Sequence, residues 1–315
     1  MEILMLNESE VERLLDPEML LDALAEGFKA LSEGLVDAPK RIGVTVPDTG
    51  FLLSMPAYQQ GREITIKLVS VFHDNQRFGI PSHQAIICLF DAQTGTPLSF
   101  MDGTYITGLR TAGAAALSTR LLARKDTVVL AIIGAGVQGR AHLKMLPRVR
   151  HFSEIRITSA HFDHAEQLAA TDSRAHAVEN AEQAVRGADV VCLCTHSGEP
   201  VISFDWVSPG MHITSVGYSP PGGELDPKVI EHGRLYVETR MAFEPPPSGC
   251  GELVGFDSSI GTELGEVLLS RASGRQSQDE ITVYKAMGHA CEDMAAASLV
   301  YRRAKQEGVG KTIVF

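Results

Sequence analysis

Three glycines that follow an apolar run are the residues of this sequence with the clearest chemistry. Gly134, Gly136 and Gly139 come directly after the aliphatic and β-branched residues 127–133, and residues 137–146 fit a helix. In such a turn the first glycine permits a tight bend, the second lets backbone approach a pyrophosphate, and the third lets helix pack on strand. The helix N-terminus adds free N–H groups and a positive dipole end. The order of strand, glycine turn and helix therefore predicts dinucleotide binding rather than a purely structural turn.

A lysine interrupts an otherwise apolar strand pattern. In residues 63–72, a period of two places Thr65, Lys67, Val69 and Val71 on one face. A charged side chain at such a place either protects an edge strand from aggregation or serves as a functional amine. The pattern taken alone favours the edge-strand interpretation.

An arginine stands where a helix is predicted to begin. Residues 112–123 are rich in alanine and have a helical pattern, and Arg110 precedes them. A cation near the N-terminus of a helix is unfavourable for the helix dipole. We therefore expect another interaction to hold Arg110 there.

Strands and helices alternate around these residues. After residues 127–133, buried strands are predicted at residues 155–158, 188–195, 212–217 and 234–239. The last of these is expected to close the set, whereas residues 9–33 and most of residues 280–306 have helical patterns. Such alternation predicts a parallel sheet, so the expected fold class is α/β.

Composition and charge narrow the class of protein. The 315 residues allow two domains, and the net charge of −11 argues against nucleic acid as a partner. No apolar run approaches the roughly 20 residues of a membrane helix, and the start of the chain lacks the basic residues of a signal peptide. The spacing of Cys192 and Cys194 is not a zinc pattern. We expect a cytoplasmic protein with reduced thiols, no metal and no membrane partner.

The residues after the second predicted strand bear on the choice of cofactor. NAD-preferring sites usually place an acid there, which accepts a hydrogen bond from the ribose 2′-hydroxyl. Here Ser159 takes that position and His161 follows shortly after. No arginine follows to bind a 2′-phosphate, so Ser159 and His161 are the candidates for that contact. The missing carboxylate favours NADP(H) over NAD(H).

Many segments of the chain resemble the ornithine cyclodeaminase/mu-crystallin family. They occur in the family's order over nearly the whole length, at residues 39–41, 66–69, 78–84, 101–111, 134–138, 206–217, 224–226, 262–266 and 274–275. The resemblance implies a Rossmann dinucleotide-binding domain at residues 113–288. It also implies a second α/β domain for substrate binding and dimerisation, which comprises residues 1–112 and to which the C-terminal helix, residues 289–315, returns.

The resemblance also assigns roles to individual residues. It implies that Arg41 and Arg110 bind the substrate carboxylate, as two guanidinium forks can. It places Lys67 beside the reacting carbon as the catalytic residue, which reverses the interpretation from pattern alone. Met55 and Ser219 complete the predicted substrate site. The predicted cofactor-binding residues are Thr111, Gly134, Gly136, Val137, Gln138, Gly139, Ser159, His161, Thr195, His196 and Val216.

Ser219 bears on which branch of the family this chain resembles. Cyclodeaminases carry an aspartate a few residues after the Val-Gly of the fourth strand, and Ser219 takes that place here. Ketimine reductases of the family also have serine there. The resemblance therefore implies NAD(P)H-dependent reduction of the C=N bond of an α-imino acid. The substrate would be a cyclic ketimine, such as Δ1-pyrroline- or Δ1-piperideine-2-carboxylate, or a linear imino acid.

Three alternative functions stay open. They are an amino-acid dehydrogenase of alanine dehydrogenase type, an ornithine cyclodeaminase-like ammonia lyase, and a non-catalytic protein that binds NADPH and a small ligand. The presence of Arg41, Lys67 and Arg110 argues against the last. The expected partners are a small imino or amino acid and a second copy of the chain, in a homodimer. Glu292 and Asp293 also match the family, and interface or domain packing is the role favoured for them.

Overall fold

The chain divides into two compact units. The computed structural model describes residues 1–315, except for the side chains of His73 and Gln76. Unit 1 comprises Met1–Arg110 and His289–Phe315, and unit 2 comprises Thr111–Gly288. Among the described helices, none is both long enough and apolar enough to cross a membrane.

Helices and strands follow one another along the whole chain. The first part contains β1 (Glu2–Leu6), α1 (Glu8–Leu14), α2 (Pro17–Ser32), β2 (Val36–Asp37), β3 (Ile42–Val46), β4 (Gly50–Gln59), β5 (Ile64–Phe72), β6 (His83–Phe90), β7 (Pro97–Asp102) and α3 (Thr104–Leu122). The middle contains β8 (Val129–Ile133), α4 (Val137–Met145), β9 (Glu154–Thr158), α5 (Phe162–Ala169), β10 (Ala175–Ala177), α6 (Ala181–Val185), β11 (Val190–Leu193), β12 (His212–Ser215), α7 (Pro227–His232) and β13 (Arg234–Val237). The last part contains β14 (Thr262–Glu263), α8 (Leu264–Leu268), β15 (Thr282–Lys285), α9 (Ala290–Glu307) and β16 (Lys311–Val314).

Unit 1 is built on one mixed sheet. Its strand order is β16-β1-β7-β6-β5-β4-β2, with β3 also paired to β4, and β1 and β7 are its parallel pair. Helix α9 packs against β4, β5, β6 and α2. The core between sheet and helix contains Leu53, Met55, Ala57, Val69, Ala85, Ala290 and Met294. The odd-numbered residues of β4 and β5 therefore face α9, and Lys67 is one of them.

Unit 2 is built on a parallel sheet of eight strands. Its order is β10-β9-β8-β11-β12-β15-β13-β14. The first five strands follow the Rossmann order, in which the third, second, first, fourth and fifth strands lie side by side. Each of β8, β11 and β12 is buried over most of its length, as a sheet covered on both faces requires. The predicted α/β class with a Rossmann unit is confirmed.

One prediction about the elements was incomplete and another was wrong. Residues 280–306 are mainly helical as predicted, but β15 forms before the helix at Thr282–Lys285 and inserts between β12 and β13. The strand at Arg234–Val237 does not close the set, because β15 follows it in the chain and β14 pairs with it at the edge of the sheet. Residues 282–285 mix polar and apolar side chains, and four residues do not show enough of a period to distinguish strand from helix, so only the pairing with two neighbouring strands decides it.

The start of α3 also differs from the prediction. The helix begins at Thr104 and not near residue 112, because Asp102 Oδ1 accepts a hydrogen bond from Tyr105 N at 2.8 Å and stabilises the first turn. Arg110 therefore lies inside the helix and not at its N-terminus. The expected conflict with the helix dipole does not arise, although the expected partners of Arg110 are present.

Candidate active site

Lys67 and Asp293 form a buried ion pair in unit 1. Lys67 Nζ lies 2.7 Å from Asp293 Oδ2, and the two side chains are 2% and 0% exposed. Strand β5, which carries Lys67, lies between β4 and β6 and is not an edge strand. The interpretation of Lys67 as protection for an edge is therefore wrong.

Arg110 binds the same carboxylate as Lys67. Its Nε donates to Asp293 Oδ1 at 2.9 Å, and its Nη1 lies 3.3 Å from Glu292 Oε2. All four side chains are at most 4% exposed. Two cations and two carboxylates thus share one water-poor region of unit 1, in which the formal charges balance.

The first turn of α9 supplies both carboxylates. His289 caps this helix and accepts from Cys291 N, while Glu292 Oε1 accepts from His289 N at 2.7 Å. This reciprocal capping box fixes the helix start and so the direction in which Glu292 and Asp293 leave it. The two acids are also favourable at the positive end of the helix dipole.

The electrostatics of this cluster act differently on its lysine and its carboxylate. Burial, and the Arg110 cation beside it, lower the pKa of Lys67 from 10.5 to about 8, although Asp293 opposes the change. Burial alone would raise the pKa of Asp293, but Arg110 and Lys67 outweigh it and hold that pKa below its usual value. A lysine with such a pKa can donate or accept a proton near neutral pH.

Two further predicted substrate residues lie in the same row of the unit 1 sheet. Met55 is directly opposite Lys67 in the β4–β5 register, so the two side chains share a face. Strand β3 pairs Ile42 with Ser54, and continuing this register by one residue places Arg41 opposite Met55. Met55 is buried and Arg41 is half-buried. Met55 and Lys67 thus stand side by side on strands about 5 Å apart, and Arg41 directly precedes the neighbouring strand β3.

The glycine turn joins β8 to α4 in unit 2. Gly134 has a φ of 109°, and a Cβ there would collide with the carbonyl of Cys194, which follows β11. Gly139 lies so close to the Gly134 carbonyl that a Cβ would overlap it. Apart from Gly136 itself and its two neighbours in the chain, no described atom lies within 4 Å of where a Gly136 Cβ would be, and α4 has no side-chain cap. The space beside the helix N-terminus is therefore open to a phosphate group, so the turn fits a dinucleotide.

Most other predicted cofactor residues lie at the same edge of the sheet. Because parallel strands present their carboxyl ends together, residues that follow them cluster. Ser159 and the exposed His161 follow β9, Thr195 and the exposed His196 follow β11, and Val216 follows β12. Val137 and Gln138 begin α4. Ser219, assigned to the substrate, is half-buried in unit 2 after β12, and Thr111 is buried in α3 instead of at a strand end.

A glutamate that the sequence did not single out links two of these strand ends. Glu224 is fully buried, and its Oε2 accepts from both N and Oγ1 of Thr195 at 2.7 Å. Its Oε1 accepts from Gly217 N at 2.6 Å and from Ser215 Oγ at 3.0 Å. Thr195, predicted to contact the cofactor, is therefore held by Glu224.

The chain is similar to known proteins over nearly its whole length. Residues 1–308 match the model of the ornithine cyclodeaminase/mu-crystallin family. The chain belongs to this family. The resemblance inferred from the segments of the sequence is thus confirmed.

Individual members of the family show how similar this chain is to them. It is 37% identical over 287 residues to the ketimine reductase mu-crystallin of Mus musculus, which covers 89% of this chain and 90% of that protein. The Δ1-pyrroline-2-carboxylate reductase of Thermococcus litoralis, solved with NADH and L-proline, superposes with a TM-score of 0.94 at 31% identity, over 99% of this chain and all of that chain. An archaeal alanine dehydrogenase dimer with bound NAD gives 0.93 at 31% identity, over 100% of both chains.

The packing role predicted for Glu292 and Asp293, in the last helix of the chain, was incomplete. Glu292 and Asp293 are buried in unit 1, where their carboxylates bind Arg110 and Asp293 also binds Lys67. The signal for this role was present in the sequence, because two adjacent acids stand in an alanine-rich segment. Acids in a buried helix need cationic partners, and Lys67 and Arg110 were the candidates already identified.

Proposed function

We propose that this chain reduces the C=N bond of an α-imino acid to the amino acid, with NAD(P)H as the hydride donor. The observation that carries the proposal is the buried Lys67, whose pKa of about 8 follows from burial and from Arg110 beside it. Strongly shifted pKa values with a specific charged partner are typical of functional sites. The similarity to ketimine and pyrroline-2-carboxylate reductases supports the same reaction class.

The residues of unit 1 would bind the imino acid and handle its proton. Arg41 and Arg110 are the proposed partners of the substrate carboxylate, because guanidinium groups bind carboxylates in a planar, two-pronged geometry. Asp293 and Glu292 fix the orientation of the Arg110 guanidinium. The Lys67 ammonium would donate a proton to the imine nitrogen, and Met55 would contact the remainder of the substrate. A substrate contact of Ser219, which belongs to unit 2, stays a prediction from the sequence.

Hydride is the group that a bound nicotinamide supplies. The imine carbon would gain this hydride and form a C–H bond. The C=N π bond breaks, and the nitrogen takes the proton from Lys67, which is left neutral. The glycine turn, with Val137, Gln138, Thr195, His196 and Val216, would hold the dinucleotide in unit 2, and Thr111 belongs to the same proposed set.

NADP(H) is the proposed form of the cofactor. Ser159 and His161 follow β9, at the place where NAD-preferring sites usually carry an acid, so no carboxylate there opposes a 2′-phosphate. Related proteins have been solved with NADH or NAD, which supports a nicotinamide dinucleotide in general. The ratio of kcat/KM for NADPH to that for NADH measures the preference.

A homodimer in the cytoplasm completes the proposal. The sheet face of unit 1 that turns away from α9 carries exposed apolar residues, with Ile42 71%, Val44 68% and Ile86 50% exposed. Such a face fits a second copy of the chain. The molecular mass in solution tests the dimer, and Val44→Lys should lower that mass to the mass of a monomer.

All five cysteines are free and buried, which supports a reducing compartment.

The test of the proposed reaction is NADPH and NADH oxidation with a panel of imines. The panel contains Δ1-pyrroline- and Δ1-piperideine-2-carboxylate, pyruvate, glyoxylate and oxaloacetate with ammonia or methylamine, and ornithine. Fast turnover of a cyclic ketimine without added amine supports the ketimine reductase. Turnover only with an oxo acid and ammonia would instead favour an amino-acid dehydrogenase, for which the similarity to alanine dehydrogenase speaks. Ammonia release from ornithine, or binding without turnover, would contradict the proposal.

A further inference from the structure

Three charged side chains are buried together at the carboxyl edge of the unit 2 sheet. Glu224 and Lys285 are 0% exposed, and the side chain of Glu252 is 4% exposed. Lys285 Nζ lies 2.6 Å from Glu252 Oε2, 3.0 Å from Ser215 Oγ and 2.8 Å from the carbonyl of Gly217. An ammonium group has three donors, and these contacts satisfy all of them.

Ser215 connects the lysine to Glu224. Its hydroxyl accepts from Lys285 and donates to Glu224 Oε1 at 3.0 Å. Glu224 takes three further hydrogen bonds, two from Thr195 and one from Gly217 N. A carboxylate offers about four lone-pair sites, so this one is saturated. Glu224 therefore links Thr195, which follows β11, to Gly217, which follows β12.

The surrounding backbone fits this network closely. A Cβ on Gly217 would stand 2.6 Å from the Thr195 carbonyl and 2.6 Å from Glu224 Cδ. A Cβ on Gly223 would overlap the Glu252 side chain. Contacts this short leave no room for a side chain at either glycine. The network therefore defines the path of the chain on both sides of residues 218–223, the loop that carries Ser219.

The strand order relates this network to one half of the dinucleotide that unit 2 would hold. In a Rossmann sheet the ribose of the adenosine half is read at the end of the second strand, which is β9 here. The adenosine half thus belongs to β8, β9 and β10, and the nicotinamide half belongs to β11 and β12. Glu224 joins the ends of those last two strands.

We propose that Glu224 is a positioning residue for the nicotinamide half of the cofactor. It holds the backbone and hydroxyl of Thr195 and the backbone of Gly217 in the geometry that this half binds. Lys285, paired with Glu252, supports Glu224 through the Ser215 hydroxyl. The inference rests on the proposed dinucleotide binding. If Glu224 acts in this way, a substitution of this one buried residue weakens binding of the nicotinamide half and leaves binding of the adenosine half unchanged.

The experiment is a titration of wild type and Glu224→Gln, as full-length proteins, with NADPH, NADH and ADP-ribose. The amide replaces one of the two acceptor oxygens with an N–H donor, which then opposes the donors of either Thr195 or Gly217, so one of the two strand ends loses its hydrogen bonds to residue 224. We expect the Kd of the dinucleotides to rise about tenfold or more, and that of ADP-ribose to stay within about twofold. Wild type that binds none of the three would contradict the proposed function itself. Equal losses for all three, or no loss for any, would overturn only the positioning role.

A matched control stands at the opposite edge of the same sheet. Asp189 precedes β11, and its carboxylate accepts from Val128 N at 2.7 Å and Val129 N at 2.9 Å, besides pairing with Arg124. Asp189→Asn therefore perturbs a half-buried carboxylate that also binds backbone N–H groups, but at the amino ends of the strands. We expect it to lower stability while all three Kd values stay within about twofold. A selective loss of dinucleotide binding in this control would also overturn the proposal.

A milder variant covers the case in which Glu224→Gln does not fold. Ser215→Ala removes the hydroxyl between Lys285 and Glu224 and leaves Glu224 with its bonds to Thr195 and Gly217. We expect a rise of about threefold in the dinucleotide Kd and no change for ADP-ribose. The same loss for both ligands, or unchanged affinity for both, would count against Glu224 as a positioning residue.

Discussion

Lys67 in unit 1 and Lys285 in unit 2 are both fully buried, and each is paired to a carboxylate within 2.7 Å. Their pKa values nevertheless move in opposite directions. Burial and the neighbouring Arg110 lower the pKa of Lys67 to about 8. Burial also acts to lower the pKa of Lys285, but Glu252, Cys250 and Glu224 outweigh it and raise that pKa.

The opposite pKa shifts come from the charged groups that surround each lysine besides its paired carboxylate. Lys67 shares Asp293 with Arg110, so a second cation competes for the same carboxylate. Lys285 binds Glu252, Ser215 and Gly217, and the charged groups that act on its pKa are the carboxylates of Glu252 and Glu224 and the thiol of Cys250, which all raise it. A lysine that can lose its proton near neutral pH suits chemistry, whereas one whose charge is locked suits the support of backbone. Burial alone does not separate these two roles.

The largest expected effect is on turnover, from Lys67→Met. The variant removes the proposed proton donor, and Arg110 still compensates the Asp293 carboxylate, so the fold is expected to persist. General acid catalysis accounts for about 10²–10⁴-fold in rate, and kcat for imine reduction should fall by that amount. NADPH oxidation measures it, with NADPH affinity as the control for an intact unit 2. A kcat within about threefold of wild type would remove Lys67 from the mechanism.

Lys285→Met should lower the free energy of unfolding and not the rate of the chemical step. It leaves Glu252 buried without its cation, and breaking a buried pair in this way costs about 3–5 kcal/mol. Urea unfolding of the ligand-free protein measures the loss. Lys67→Met is the matched comparison, and it should cost less because Asp293 keeps Arg110. If the two variants lost equal stability, the contrast between the lysines would not hold.

The sequence predicted the local parts of this arrangement but not the partners. The glycine turn and the position of Lys67 within β5 follow from patterns over ten residues or fewer. Asp293 lies 183 residues from Arg110 along the chain, and no local pattern relates them. The network of Glu224, Glu252 and Lys285 forms only because β15 inserts beside β12, and four residues carry too little periodicity to predict that strand.

The pH dependence of the reaction sharpens the comparison further. Imine reduction needs the Lys67 ammonium, so kcat/KM should fall by about tenfold per pH unit above a pKa of about 8. The reverse oxidation needs the neutral amine and should rise through the same pKa. Asp293 raises the pKa of Lys67, so Asp293→Asn should move both limbs to lower pH. If the pH profiles of the two directions do not shift in this variant, a group other than Lys67 controls them.

The smallest expected effect is that of Lys285→Arg, and the same substitution at Lys67 is its contrast, because arginine keeps the charge and removes the titration. Lys285→Arg keeps a cation beside Glu252, so its cost reduces to that of a larger side chain in a packed site, about 1–3 kcal/mol. Its NADPH affinity should stay within about threefold of wild type. Lys67→Arg should be as inactive as Lys67→Met, because arginine stays protonated and cannot exchange the proton. Turnover rescued by Lys67→Arg would mean that Lys67 acts through its charge alone, and then the two buried lysines would differ in location but not in chemistry.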